Sequence, residues 1–134
     1  MTKISVIIPA YNEEATIIQL LESIAAQEME TIDFEIIVID DGSKDKTVEL
    51  LESRPDLYTK LVKQTKNGGK GAAVKSGLLE ASGEYILFQD ADLEYDPSDY
   101  ALLLLPIQKF NADIVMGSRF VAPRYTRVSY FWHK

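Results

Sequence analysis

Short apolar runs that alternate with helical patterns are the feature that most constrains the fold of this chain. The runs Ile4–Ile8, Phe34–Ile39 and Tyr85–Phe88 are rich in β-branched or aromatic residues, as expected of buried strands. Between them, apolar residues recur every three or four positions, as on the buried face of a helix. Connections of this kind are right-handed crossovers between parallel strands. The sequence therefore predicts an α/β fold, a mostly parallel sheet with helices on both faces, in a single domain over residues 1–134.

Weaker patterns extend this alternation along the chain. Tyr58–Lys63 and Asp113–Met116 are predicted strands, and further helices are predicted from about residues 45, 72 and 97. Asn12 is expected to cap the first helix and Asp96 the fourth, because their side-chain oxygens can accept from free amides. The pattern then weakens, and residues 120–134 are expected to form a loop and the start of a helix.

Composition narrows the classes of partner and chemistry. The net charge of −7 argues against nucleic acid as a partner. The chain has no cysteine, which excludes disulfides and thiolate metal sites and fits a reducing compartment. With His133 as the one histidine, a Ser-His-Asp triad is improbable. No apolar run reaches 18 residues, so no transmembrane helix is predicted within this sequence.

Three acids alternate directly after the Tyr85–Phe88 run, namely Asp90, Asp92 and Glu94. Alternate side chains of an extended segment point the same way, and converging carboxylates repel one another. A hard cation such as Mg²⁺ or Mn²⁺ removes that repulsion and takes its other ligands from phosphate oxygens. The motif predicts a metal that holds a phosphorylated substrate. The alternative is a polar loop that leads into the helix after Asp96.

Polar residues also follow the other predicted strands. Asp40 and Asp41 could accept hydrogen bonds from a base or ribose, although Asp41 or Ser43 could instead cap a helix. The glycine-rich loop at residues 67–71 could approach a phosphate with its amides and with Lys70, or it could be a plain turn. Arg119 follows the last strand and has a planar fork suited to phosphate. Ligands of such sheets bind beyond the carboxyl ends of the strands, where four segments are expected to meet: Pro9–Glu13, Asp40–Ser43, Asp90–Glu94 and Gly117–Arg119.

Five motifs stand in the order known from one enzyme family. They are Pro9-Ala10-Tyr11-Asn12-Glu13, Asp40-Asp41-Gly42-Ser43-Lys44-Asp45-Lys46-Thr47, Asn67-Gly68-Gly69-Lys70-Gly71-Ala72-Ala73, Gln89-Asp90-Ala91-Asp92-Leu93-Glu94-Tyr95-Asp96-Pro97 and Gly117-Ser118-Arg119-Phe120. Together they resemble family 2 glycosyltransferases with a GT-A fold, and most of all the polyprenyl-phosphate sugar transferases, the group of dolichol-phosphate mannose synthase. Relatives continue well beyond this length, so the resemblance implies the donor-binding portion of a longer enzyme, with the acceptor part missing.

The resemblance implies a role for each matching residue. Nucleotide-binding roles fall on Pro9, Tyr11, Glu13, Asp40, Asp41, Lys70 and Asp90, with Asp40 at the base. Metal-binding roles fall on Asp90, Asp92 and Glu94. Asp92 and Arg119 are the implied catalytic residues, and Arg119 and Arg127 the implied ligands of an acceptor phosphate.

The implied reaction is inverting, metal-dependent transfer of a sugar from a UDP- or GDP-linked donor to a polyprenyl phosphate. It implies a cytoplasmic location, at the cytoplasmic face of a membrane in the full-length enzyme. Transfer to a saccharide hydroxyl and nucleotide binding without turnover are the alternatives. Residues 114–134 carry four positive charges and no acid, and Val128, Phe131 and Trp132 at helical spacing predict a membrane-surface contact or a homodimer interface.

Overall fold

The computed structural model describes residues 1–116 and 130–133, with side chains described for residues 1–115. Within these residues six strands form one sheet. They are β1 (Thr2–Ala10), β2 (Ile32–Asp40), β3 (Lys60–Lys63), β4 (Tyr85–Phe88), β5 (Ile114–Met116) and β6 (Tyr130–His133). Their spatial order is β3-β2-β1-β4-β6-β5. Strands β1 to β4 are mutually parallel, and β6 runs antiparallel between β4 and β5. The prediction of a mostly parallel sheet is confirmed.

Helices cover both faces of this sheet, as predicted. The described helices are α1 (Ile17–Ala25), α2 (Thr47–Ser53), α3 (Lys70–Glu80) and α4 (Tyr100–Phe110), with 3₁₀ turns at Pro55–Leu57 and Pro97–Asp99. On one face, residues of α1, α2 and α4 form a common core with alternate residues of β1, β2 and β4. On the other face α3 packs against the remaining alternate residues of the same strands. The period-2 alternation of each strand thus supplies two cores, and both are apolar as a parallel sheet requires.

The helix starts agree with the sequence in one case and differ in another. Asp96 accepts a hydrogen bond from the Ser98 amide at 2.9 Å, so it caps the turn that leads into α4, as predicted. Asn12 does not cap α1, whose N-cap is Thr16. Its backbone adopts a left-handed φ of 52°, and its side chain instead accepts from the Lys44 amide at 2.9 Å. Asparagine tolerates this conformation better than most residues do, which explains its place in the loop.

The largest difference from expectation is β6. Tyr130–His133 is a strand, whereas the sequence analysis expects the start of a helix there. The backbone groups of β4 and β5 need hydrogen-bond partners, and an aromatic-rich run suits a strand that supplies them. The expected helical face of Val128, Phe131 and Trp132 is therefore wrong for its last two members, and Val128 lies outside the described residues. None of the helices in the described part of the chain is long and apolar enough to cross a membrane.

Candidate nucleotide site

A cavity of about 310 Å³ lies at the carboxyl ends of β1, β2 and β4, where the sequence places its polar motifs. Seven of the predicted site residues line it: Pro9, Tyr11, Glu13, Asp41, Lys70, Asp90 and Asp92. A second cavity, of about 350 Å³, lies near the C-terminal end of α1 and contains none of these residues. The motifs therefore converge on the first cavity, although it is the smaller of the two.

Asp40 and Asp41 stand on opposite faces of the sheet. Ile39 packs in the core beneath α3, while Val38 packs in the core beneath α1 and α2. Strand alternation therefore turns Asp41 toward α3 and the cavity, and Asp40 away from it. Asp40 is only 2% exposed and is not among the residues that line the cavity. The residue expected to contact the nucleotide base therefore does not face this cavity.

The Asp40 carboxylate stabilises the turn that follows β2. Its Oδ2 accepts from the Ser43 amide at 3.1 Å, an interaction that short polar side chains commonly make at turns. Its Oδ1 is buried without a hydrogen-bond partner among the described residues. Asp40 therefore has a structural role at this turn and not the expected role in ligand binding. Neither Asp41 nor Ser43 caps helix α2, which has no side-chain hydrogen bond at its N-cap. Asp45 accepts from the amide of Thr47, the first residue of α2.

Asp41 holds the glycine-rich loop. Its two carboxylate oxygens accept from the amides of Gly68 and Gly69, each at 2.9 Å. These are the amides that the sequence analysis offers to a phosphate, and in the structure they are bound by Asp41. Gly69 adopts a φ of 88°, a conformation that glycine reaches at little cost. The carboxylate thereby fixes the loop against the end of β2 and brings Lys70 to the cavity wall.

Lys70 crosses the cavity to the acidic turn. Its Nζ donates to Asp90 Oδ1, which joins the start of α3 to the turn after β4. The Lys70 side chain is 66% exposed, so the pair contributes little to stability, since solvent screens it. Its importance is positional, because it places a cation against a carboxylate that the sequence assigns to a metal.

The three acids of the turn do not converge as predicted. Among the described residues no three acidic or histidine side chains stand together at metal-binding spacing. Asp90 and Asp92 line the cavity, but Glu94 is not among its lining residues and is exposed. The Glu94 amide donates to Asp92 Oδ1 at 3.1 Å, which shows that the segment turns instead of remaining extended. The alternation argument fails here for that reason.

Glu13 adds a further carboxylate to the same cavity. Burial raises the pKa of Glu13 above its ordinary value, and the negative charges of Asp92, Asp45 and Asp90 raise it further. A hydrogen bond with Thr16 acts in the opposite direction. The cavity therefore concentrates negative charge, and a cation placed in it would lower the electrostatic free energy of these groups.

The loops after β1 and β2 are joined to each other by reciprocal hydrogen bonds. The Asn12 amide donates to Ser43 Oγ at 2.9 Å, and the Glu13 amide donates to Thr47 Oγ1 at 2.9 Å. In the other direction, the Lys44 amide donates to Asn12 Oδ1 at 2.9 Å. We call residues 12–14 with residues 43–47 the loop clasp. It holds one side of the cavity in place by contacts between segments that are about 30 residues apart in sequence.

Two residues that sequence reasoning missed contact the acidic turn. Gln89 is 1% exposed, and its Nε2 donates to the carbonyls of Asp90 and Tyr95, both at 3.1 Å. Thr16 donates from Oγ1 to the Ala91 carbonyl at 2.9 Å. A buried polar residue at a strand end could have indicated Gln89 as a structural residue. No pattern in the sequence around Thr16 indicates its contact with Ala91, because a threonine at the start of a helix is expected to cap that helix. Arg119, Arg124 and Arg127 lie outside the described residues.

Comparison with known proteins gives a family match over most of the chain. The sequence model of the family described as glycosyl transferase family 2 matches residues 5–132. A dolichol-phosphate mannosyltransferase of Pyrococcus furiosus is 38% identical over 120 residues, which are 89% of this chain and 34% of the relative. The poly(ribitol-phosphate) β-N-acetylglucosaminyltransferase TarS of Staphylococcus aureus is 40% identical over 94 residues, 69% of this chain and 16% of that protein. The chain thus spans well under half the length of these relatives.

Solved structures agree with this match. The crystal structure of TarS residues 1–349 in complex with UDP-GlcNAc superposes with a TM-score of 0.76 at 30% identity, over 93% of this chain and 37% of that one. Glucosyl-3-phosphoglycerate synthase of Mycobacterium tuberculosis, crystallised with Mn²⁺, UDP and glucosyl-3-phosphoglycerate, superposes with a TM-score of 0.66 at 31% identity, over 81% and 40% of the two chains. Both proteins resemble this chain in fold and in sequence.

Proposed function

The chain belongs to glycosyl transferase family 2, and from that premise we propose that its cavity binds the nucleotide diphosphate of a sugar donor. The observation that carries the proposal is the convergence of four separate motifs on one cavity at the carboxyl ends of β1, β2 and β4. Family membership alone would not locate the site, and a cavity alone would not identify a ligand. TarS, which was crystallised with UDP-GlcNAc, supports the same ligand class for this cavity.

Electrostatics supports a diphosphate together with a divalent cation. Lys70 and the N-terminal end of α3 supply positive potential on one wall. Asp90, Asp92 and Glu13 supply negative charge elsewhere in the lining, which would repel a diphosphate without an intervening cation.

The residues present fit Mg²⁺ or Mn²⁺. Two carboxylates, Asp90 and Asp92, share the cavity, and burial together with the nearby negative charges raises the pKa of Glu13. The cationic Nζ of Lys70 donates a hydrogen bond to Asp90 Oδ1, so positive charge is already accommodated at this carboxylate. Such ions commonly use one or two carboxylates and complete their coordination with phosphate oxygens. We therefore propose Asp90 and Asp92 as the metal-holding residues, with Glu94 as a more distant candidate. The M. tuberculosis synthase crystallised with Mn²⁺ supports this choice.

The proposed reaction is inverting transfer of the donor sugar. A bound divalent ion would offset the charge that develops on the leaving diphosphate. The chain's own residues then position the donor: Tyr11 lines the wall, Asp41 holds the glycine-rich loop, and Lys70 provides a second cation for phosphate oxygens. We propose Asp41 in place of Asp40 for contact with the base or ribose, because Asp41 faces the cavity.

The proposed acceptor is a polyprenyl phosphate, on the strength of the dolichol-phosphate relative. An acceptor that is already an anion needs positioning and charge compensation more than a general base. We propose Arg119 and Arg127 for that purpose, in the part of the chain outside the described residues. Such an acceptor would bring the reaction to a membrane face.

A hydroxyl acceptor is the second candidate, favoured by the similarity to TarS. A hydroxyl requires a base to take its proton. Glu13 lines the cavity, and its raised pKa suits a group that gains a proton during a reaction. Transfer assays that offer a polyprenyl phosphate and a polyol phosphate side by side would separate the two acceptors.

We expect nucleotide binding to depend on metal. Calorimetry with UDP and GDP in Mn²⁺ should show binding that weakens at least about tenfold when a chelator is added, because the carboxylates then repel the diphosphate. Asp92→Asn should reproduce that loss in the presence of Mn²⁺. Asp33→Asn is the matched control, since Asp33 is an exposed carboxylate at the start of β2, far from the cavity. Equal affinity with and without chelator would overturn the metal assignment.

The same titrations separate Asp41 from Asp40. Asp41→Asn should lower nucleotide affinity, whereas Asp40→Ala, which removes the acceptor of the Ser43 amide, should lower the melting temperature and leave the affinity of the folded protein unchanged. The opposite pattern would return the ligand contact to Asp40.

A further inference from the structure

Thr16 occupies the N-cap of α1 without capping it. Threonine at this position commonly accepts a hydrogen bond from an amide of the first helical turn. In this structure Thr16 has φ −126° and ψ −23°, and its side chain makes no capping bond. The hydroxyl instead donates to the carbonyl of Ala91, at 2.9 Å and 75 residues along the chain. Helix α1 forgoes its cap, and the hydroxyl joins α1 to the acidic turn.

The acceptor of this bond lies between the two cavity carboxylates. Ala91 separates Asp90 from Asp92, is 3% exposed, and also lines the cavity. Its carbonyl belongs to the peptide group that links Ala91 to Asp92. Because a peptide group is planar, fixing this carbonyl also fixes the plane that holds the Asp92 nitrogen and Cα, and so the point from which the Asp92 side chain leaves the backbone. The Thr16 hydroxyl therefore acts on the position of one carboxylate relative to the other.

The other end of the turn is braced from inside the protein. The Gln89 amide binds the Asp90 and Tyr95 carbonyls, and its Oε1 accepts from the Tyr100 hydroxyl at 2.6 Å. Tyr100 and Gln89 are each 1% exposed, so this brace is anchored in the core. It sets the turn relative to β4 and α4. It does not set the turn relative to the loop after β1, which forms the facing wall of the cavity.

Thr16 makes that second connection. Its Oγ1 lies 3.3 Å from Oε2 of Glu13, a residue of the facing wall, and 2.9 Å from the Ala91 carbonyl. A hydroxyl has one hydrogen, which the Glu13 and Ala91 oxygens share here, and the shorter contact is the one to Ala91. The side chain thus stands between the two walls and contacts both. The loop clasp fixes the β1 side of this bridge by its bonds to the loop after β2.

We propose that Thr16 is a positioning residue, which sets the acidic turn against the loop after β1 so that Asp90 and Asp92 meet a metal–nucleotide complex in a fixed arrangement. This inference rests on the proposed function, because it assumes that the complex binds in this cavity. The described contacts of the hydroxyl are with the Ala91 carbonyl and the Glu13 carboxylate, and not with the carboxylates of Asp90 or Asp92. Its effect passes through the Ala91 peptide.

A pair of near-isosteric variants tests the proposal. Thr16→Val keeps the β-branched shape and removes the hydroxyl, which also leaves the Ala91 carbonyl without its donor. Thr16→Ser keeps the hydroxyl. Calorimetry would measure the Kd of UDP or GDP, whichever the wild-type protein binds more tightly, with Mn²⁺ and with chelator. We expect Thr16→Val to raise the Kd about tenfold in Mn²⁺ and less than about twofold in chelator, and Thr16→Ser to stay within about twofold of wild type in both.

Several outcomes would overturn the proposal. Thr16→Val could bind as tightly as wild type in Mn²⁺, or Thr16→Ser could be as impaired as Thr16→Val. An equal loss with Mn²⁺ and with chelator would mean a general structural effect. Melting temperatures show whether each variant is folded, and Thr16→Ala replaces Thr16→Val if the valine packs poorly. If the wild-type protein itself shows no metal dependence, it is the proposed function that fails, which is a separate result.

Discussion

Glu35 shows how a buried charge is stabilised at the end of the sheet opposite the cavity. It is 3% exposed, yet its carboxylate accepts from Ser5 Oγ at 2.5 Å and from the amide and hydroxyl of Ser82 at 2.9 and 2.8 Å. Burial alone would raise the pKa of Glu35, but these hydrogen bonds, with Lys3 at 3.6 Å, lower it to about 2. At the residue scale, Glu35 is a structural carboxylate that connects β1, β2 and the turn before β4.

The pKa of Glu35 predicts a specific acid sensitivity. Because the folded pKa lies near 2, below the ordinary value of 4.5, the charged carboxylate stabilises the fold fully above pH 4.5. That contribution, about 3 kcal/mol at most, is lost as the pH falls from 4.5 toward 2. Urea unfolding across pH 2–6 should therefore show a shallower decline for Glu35→Gln than for wild type. Glu84→Gln, an exposed neighbour, should keep the wild-type slope, and a Glu35 variant that also keeps it would contradict this account.

At the scale of elements, helix α3 lies directly on the sheet through a glycine. A Cβ placed at Gly77 would lie 2.6 Å from Ile7 Cγ2 and 2.8 Å from Ile39 Cδ1. A Cβ at Gly71, in the same helix, would meet nothing within 4 Å. Gly77 therefore permits close packing of α3 on the sheet, whereas the absence of a side chain at Gly71 serves no such contact.

This difference gives a matched pair of variants. Gly71→Ala should leave the free energy of unfolding unchanged or raise it by up to about 1 kcal/mol, because alanine favours a helix. Gly77→Ala gains the same helical preference but overpacks the contact with Ile7 and Ile39, so it should be about 1–3 kcal/mol less stable than Gly71→Ala. Urea denaturation measures both. Equal stabilities would mean that α3 moves away from the sheet at little cost.

The elements also show what the sequence could predict and what it could not. The runs Ile4–Ile8, Phe34–Ile39 and Tyr85–Phe88 all lie within strands, because burial on both faces leaves an unmistakable apolar signature. The strand Tyr130–His133 is missed by the sequence pattern because its reason for being a strand lies elsewhere, in the edges of β4 and β5 with which it pairs. The apolar run Leu102–Leu105 indicates a well-covered helix, but Leu102 in α4 is 58% exposed.

The candidate site divides in the same way. Sequence order was sufficient to bring Tyr11, Asp41, Lys70 and Asp92 to one place, since the carboxyl ends of parallel strands meet there. It was insufficient for side-chain direction at the end of β2, where one residue of register decides whether Asp40 or Asp41 faces the cavity. Contacts made across many residues, such as the hydroxyl of Thr16 on Ala91, leave no local pattern.

At the scale of the whole molecule, the sheet depends on a strand from the far end of the chain. Strand β6 pairs with residues Tyr85–Leu87 of β4 on one side and with all three residues of β5, Ile114–Met116, on the other. Without β6, one edge of β4 would expose unpaired backbone groups and β5 would lose its connection to the sheet. An open edge of this kind promotes association between chains.

A chain that ends at Ala122 should therefore lose protection at β4. Hydrogen exchange should be faster at β4 amides than in the 134-residue chain, and gel filtration should show concentration-dependent association. Amides of β2, which pairs with β1 and β3, are the internal control and should stay protected if the shortened chain folds. Unchanged exchange at β4 would mean that β6 contributes little to this edge.

The place of β6 also has a consequence for the order in which the protein is made. A ribosome releases β1 to β4 long before residue 133, so those strands can assemble while their outer edge has no partner. Strand β5, although synthesised before β6, has to wait for it, because β6 lies between β5 and the rest of the sheet. Anything that delays the emergence of residues 130–133 after β4 has emerged would lengthen the time for which the β4 edge has no partner. The β4 edge therefore stays open during synthesis until residues 130–133 reach it, and an open edge of this kind promotes association between chains.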